Sequence, residues 1–271
     1  MLDELKDRKV ASEIKKLERR RKARKKINEL SSKEEHVLVI HYSCESFYDR
    51  PEGQTPRVTS IAVRNYESGQ TTSFSIHKIA ELKHVGFSEI QNNYDMLEKE
   101  MLHEFYDYMK HHTSHYWVHW NMRDINYGFP ALEHRFKILG GEPYILEDSK
   151  KVDLSRVLVA LYTNGYAPHP RIIKLMEMNF ITPKDLLDGP GEAAAFENKD
   201  FVKLHQSTLR KVDVFCNFLG RTLDGNLITK STWWELNGGS IKAVGEFVSN
   251  NWIFTLIVGV IGIAAGIYTF I

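Results

Sequence analysis

The central two-thirds of this chain predicts an α/β fold with a mixed sheet, and three observations carry that prediction. Short β-branched apolar runs come first, helical periodicities follow, and Gly- and Ser-containing turns separate them. Val37-Leu38-Val39-Ile40 is fully apolar and β-branched at three of its four positions, as a central strand buried on both faces would be. Strands over Val58–Tyr66 and Thr71–Ile76 follow, joined by Glu67-Ser68-Gly69-Gln70 as a hairpin connection. Three strands in series ahead of alternating helices give an α/β architecture whose sheet is mixed.

The elements follow in order. Leu2–Leu30 reads as one long helix, rich in Lys, Arg, Glu and Leu and free of Gly and Pro. Its stretch Lys15–Lys26 contains nine basic residues: Lys15, Lys16, Arg19, Arg20, Arg21, Lys22, Arg24, Lys25 and Lys26. Too few apolar positions remain there for a sustained coiled coil. The body begins at His36. After its three strands come a helix over Tyr94–His111, a buried strand over Tyr116–Trp120, and a helix over Pro130–Leu139 closed by Gly140-Gly141. Helices over Val152–Leu161, Arg171–Met178 and Asp200–Leu219 complete it, and Gly189-Pro190-Gly191 reads as a turn. Residues 220–251 form a connector in which Trp233, Trp234 and Ile241–Val248 suit the headgroup level of a bilayer.

The final stretch, Ile253–Ile271, carries no charged residue. As a helix it is about 28 Å long, close to the roughly 30 Å hydrocarbon core of a bilayer. Trp252 and Tyr268 sit near its two ends, as interfacial aromatics do. The sequence therefore predicts four parts: a basic helical arm (1–35), the α/β body (36–219), the connector (220–251) and a single transmembrane anchor (252–271). Self-association through the anchor or the arm is expected; within the anchor, Gly262 and Gly266 make a GxxxG pattern that allows close helix approach. Met1–Lys9 does not read as a signal peptide, and Lys230 and Lys242 lie on the N-terminal side of the anchor. The expected topology is a cytoplasmic domain with a single-pass C-terminal membrane segment.

Charge is unevenly distributed. The chain holds 36 basic and 35 acidic residues, with 12 and 6 of them in residues 1–30, leaving 24 and 29 for the rest. Any polyanion site is then on the arm and not on the body. Lipid headgroups are the first candidate partner and nucleic acid the second. Cys44 and Cys216 lack metal-ligand spacing and read as reduced structural thiols.

Within the body, Val37–Ile40 leads into His41-Tyr42-Ser43-Cys44-Glu45, and Val118–Asn121 into Met122-Arg123-Asp124. Val152-Asp153-Leu154 follows, and the last helix carries Asp213. In order and spacing these resemble the motifs of the DEDD 3′–5′ exonucleases, whose fold is RNase H-like. The resemblance implies four carboxylates around two divalent ions about 4 Å apart. It assigns Glu45, Asp124 and Asp213 as metal ligands and catalytic carboxylates, with Mg²⁺ or Mn²⁺ as cofactor if the site is active.

The chain departs from the motifs at two points. Ser43 stands at the first Asp position, and the last helix has Thr208 and Leu209 where the family has His or Tyr, with His205 as the nearest base. A serine oxygen has little affinity for Mg²⁺. The resemblance thus implies a protein that engages nucleic acid or a nucleotide with an impaired exonuclease site. Two alternatives stand beside it. One is an active metal-dependent exonuclease at the membrane. The other is an oligomerising effector that perturbs the bilayer, with the body as sensor or assembly module. A degenerate nuclease tied to a membrane suits a bacterial defence or toxin system by analogy. Tyr42, Phe47 and Tyr48 are candidates for stacking on bases, and His111, His112 and His115 form a weaker metal-like grouping.

Overall fold

The computed structural model describes residues 2–45 and 55–236. The body is α/β, with a mixed five-stranded sheet flanked by helices. The strands are β1 (Val37–Cys44), β2 (Val58–Asn65), β3 (Thr71–Ser75), β4 (Tyr116–His119) and β5 (Lys151–Asp153), in the order β3-β2-β1-β4-β5. β1 pairs antiparallel with β2, and β2 with β3; β1 pairs parallel with β4, and β4 with β5. The first three predicted strands pair in one sheet, and the predicted strand at Tyr116–Trp120 joins it.

β1 is central and every residue in it is buried, so its two faces are covered by different helices. Leu38, Ile40, Tyr42 and Cys44 point into the main apolar core, with Leu97, Met101 and Phe105 of helix α3 (Tyr94–His111). Strand alternation turns His41 and Ser43 to the opposite face. There they meet helix α8 (Phe201–Leu223), where His41 packs edge-on to Phe215 and Ser43 bonds Thr208.

The long helix α1 (Leu2–Ser31), α3, α4 (Phe129–Ile138) and α6 (Arg171–Met178) lie where periodicity puts them. α3 buries Tyr94, Leu97, Glu98, Met101, Leu102, Phe105 and Met109, the three- and four-residue spacing of a core-facing stripe. Glu98 is fully buried within it, bonded by Arg135 of α4 and by the Val58 N–H. α4 starts at a close backbone approach. Gly128 has φ of 151°, and a Cβ there would sit 2.3 Å from the Met122 carbonyl carbon. Gly140 closes α4 with φ of 74°.

Four elements differ from expectation. Ile76 opens helix α2 (Ile76–Leu82) and does not end β3. The span read as one helix from Val152 begins as β5 and becomes α5 (Leu154–Tyr162). Gly189-Pro190-Gly191 is the first turn of α7 (Gly189–Glu197), because the Asp188 carboxylate accepts the Gly191 N–H at 2.9 Å and proline is tolerated in a first turn. α8 runs on to Leu223, past the expected end at 219.

By contacts the chain forms two units. One holds the whole sheet, with residues 27–157 and 169–228. The other includes, among the described residues, 2–26, 158–168 and 229–236. Within this second unit the Arg20 guanidinium donates to the Leu236 carbonyl, the Ser231 hydroxyl to the Tyr162 carbonyl, and the Lys230 N–H to the Tyr166 carbonyl at 2.9 Å. Thr232 and Glu235 cap the short helix α9 (Trp233–Leu236) reciprocally, each side chain accepting the other's N–H. Among the described residues no helix is long and apolar enough to cross a membrane. The expected span 252–271, with Trp252, Gly262, Gly266 and Tyr268, lies outside the described residues.

Candidate functional site

The C-terminal end of β1 carries a buried polar cluster of Ser43, Ser60, Glu192, Ser207, Thr208 and Lys211. Ser43 comes from β1, Ser60 from its register partner on β2, Glu192 from α7, and the other three from α8. The Ser43 hydroxyl donates to Glu192 Oε1 at 2.8 Å and lies 2.7 Å from Thr208 Oγ1. Thr208 Oγ1 in turn lies 2.7 Å from Ser60 Oγ. Ser60 can donate to Thr208 and Ser43 donates to the carboxylate, while the single Thr208 proton serves either Ser43 or the Leu204 carbonyl, 2.9 Å away. Lys211 Nζ reaches the same Glu192 oxygen at 2.7 Å, and Ser207 at 3.3 Å. The Lys211 side chain is 8% exposed and that of Glu192 17%, so this is a largely desolvated ion pair.

His41 borders the cluster. Tyr127 donates its hydroxyl proton to the Tyr42 carbonyl at 3.0 Å, so it accepts from His41 Nδ1, also at 3.0 Å. That bond fixes the proton on Nδ1 and leaves Nε2 buried with no hydrogen-bond partner among the described residues. Burial, reinforced by the Lys211 charge, holds the His41 pKa well below the usual histidine value, so the ring is neutral.

The family-predicted carboxylates are placed elsewhere. Glu45 follows β1, and Arg57 grips it with Nε at 3.1 Å and Nη2 at 3.2 Å. Asp124 is exposed in the loop after β4, where its carboxylate accepts the Asn126 N–H at 2.8 Å and the Tyr127 N–H at 3.0 Å, an Asx-type turn. Asp213 is on α8 and pairs with Arg210 one turn earlier. At about 100° per residue, Asp213 is roughly 140° around the helix from Thr208 and 200° from Lys211. α8 therefore turns Thr208 and Lys211 onto β1, and Asp213 away from Ser43. Among the described residues, which include all three carboxylates, no group of three or more His, Cys, Asp or Glu is placed to hold a metal ion.

His205 lies against His77 with ring centres 5.2 Å apart, and burial lowers its pKa to about 4. Tyr42 is a core residue stacked on Tyr127 at 4.5 Å, with its hydroxyl accepting the Gly128 N–H. It is not available to a base; Phe47 and Tyr48 lie outside the described residues.

A second polar group sits at the ends of the parallel strands β4 and β5. Arg123 pairs with Asp153, which also accepts the Asn121 N–H at 3.3 Å. His119 accepts the Met122 N–H on Nδ1 at 3.1 Å, and burial lowers its pKa to about 4.

On the arm, Lys15, Lys16, Arg19, Arg21, Lys22, Arg24 and Lys25 are exposed, and Arg20 and Lys26 half-buried. No family model matches the chain, and neither the curated proteins nor the solved structures contain a match.

Proposed function

We propose that this chain is a membrane-tethered protein whose RNase H-like body engages nucleic acid or a nucleotide with an exonuclease site that does not cleave efficiently. The observation that supports this most is the environment of Ser43. At the position where the exonuclease resemblance calls for the carboxylate shared by two metal ions, the chain has a hydroxyl tied into a network with its own cation, Lys211. A buried ammonium against Glu192 supplies the positive charge there without a metal, and it repels a divalent ion. Glu45, the second carboxylate of that motif, is neutralised by Arg57.

The test is to incubate the purified full-length protein with single-stranded DNA and RNA in Mg²⁺ or Mn²⁺. Binding without degradation is the expected result. Robust hydrolysis that disappears in Asp124→Asn would overturn the reading in favour of an active nuclease. Neither hydrolysis nor binding, together with anchor-dependent membrane leakage on expression, would replace it with the membrane-effector function.

A further inference from the structure

We infer that one face of α1 is a docking surface for anionic lipid headgroups, an inference that rests on the membrane-tethered reading above. Lys15, Arg19, Lys22 and Lys26 recur at intervals of four, three and four residues. At about 100° per residue they lie within an arc of roughly 60°, a straight stripe about 16 Å long. The first three are exposed and Lys26 is half-buried. Glu18 and Glu29 lie at the stripe's edge, Glu29 accepting from the Tyr116 hydroxyl, while Glu13 is paired with Lys16. The buried positions Ala23, Ile27 and Leu30 fall about 60° to 120° around the helix from the first position of the stripe.

Two observations favour lipid over nucleic acid. First, Arg20, on the flank away from the stripe, donates to the Leu236 carbonyl. Ile253, the first residue of the uncharged run, follows Leu236 by 17 residues, a reach of at most about 60 Å when fully extended. A bilayer that holds that run is thus brought to the arm by the chain itself. Second, α1 contains no aromatic residue, so it offers no platform on which bases could stack. A rod with one linear row of cations fits a flat anionic surface, and the exposed Lys15, Arg19 and Lys22 can all lie within a Debye length of it.

The experiment uses the full chain reconstituted in vesicles of phosphatidylcholine alone, or of phosphatidylcholine and phosphatidylglycerol in equal parts. Trypsin then reports access to the arm of the outward-facing protein. Anionic vesicles are expected to slow cleavage within residues 15–26 at least about tenfold relative to neutral ones at low salt, with the protection lost in high salt. Changing Lys15, Arg19, Lys22 and Lys26 to Gln should abolish the difference, since trypsin still has Lys16, Arg20, Arg21, Arg24 and Lys25 to cut. Unchanged flotation and helix content would show that this variant is intact. Flotation with both vesicle types but equal cleavage overturns the docking surface alone. Failure to float with either overturns the tether and the docking together. Protection by a duplex or single-stranded oligonucleotide, with none from anionic vesicles, overturns the lipid assignment in favour of nucleic acid.

Discussion

At Lys211 and Glu192 two charges are held 2.7 Å apart with little access to water, so each depends on the other. Lys211→Met leaves the carboxylate facing two serine hydroxyls without its cation. We expect a loss of about 2–4 kcal/mol in denaturant unfolding. A loss below about 0.5 kcal/mol would mean that solvent already screens the pair. Ser43→Asp sets a second carboxylate against Glu192 at a fully buried position, and should lower the melting temperature in the presence of a chelator. If added Mg²⁺ restores it, Lys211 does not exclude the ion and the non-cleaving reading loses its main support. His119 and His205 have folded pKa values of about 4, below the usual 6.5 or so of an unfolded histidine. Between those values the unfolded chain binds more protons, so their stabilisation is complete above about pH 6.5 and is lost as pH falls toward 4. Melting temperature should decline across that window, and His119→Asn should flatten part of the decline. An unaltered profile in that variant would assign the acid sensitivity to other groups.

At the scale of single elements, α3 and α4 are joined by Arg135, which bonds Glu98 through Nε and Nη2 and Asp95 through Nη2. Arg135→Ala would leave the buried Glu98 without a cation. A cost of about 3–5 kcal/mol is expected, because such a charge cannot re-enter water without opening the core. Gly128→Ala is the local test of the loop before α4. It forces a Cβ to within 2.3 Å of the Met122 backbone at a φ that other residues rarely adopt, and should cost about 2–4 kcal/mol by chemical unfolding. A near-neutral result would mean that the loop can relax away from Met122. Periodicity made α8 legible as a helix but not the face it turns to β1. Ser207, Thr208 and Lys211 interrupt the apolar row between Leu204 and Phe215, and that break was the available signal. The carboxylate Asp213 falls on a different side of the helix from 208 and 211.

At the scale of the whole molecule, removing residues 252–271 should release a folded protein from membranes. Carbonate extraction of the full-length chain is the check: recovery in the aqueous fraction would reject the anchor. Features that depend on near neighbours along the chain are legible without the fold. The apolar runs of β1 and β2, the periodicity of α3, the length of α1 and the hairpin at Gly69 all follow from period, propensity and turn chemistry acting over a few residues. So does the density of positive charge over residues 15–26. Long-range packing alone sets which side chains meet at Ser43. Glu192 and Lys211 lie 149 and 168 positions further along the chain, and no local pattern links them to β1. Their pairing arises because a strand buried on both faces must receive a helix on each. The rotation of α8 about its own axis, set by packing His41 against Phe215, then selects Thr208 and Lys211 to face it.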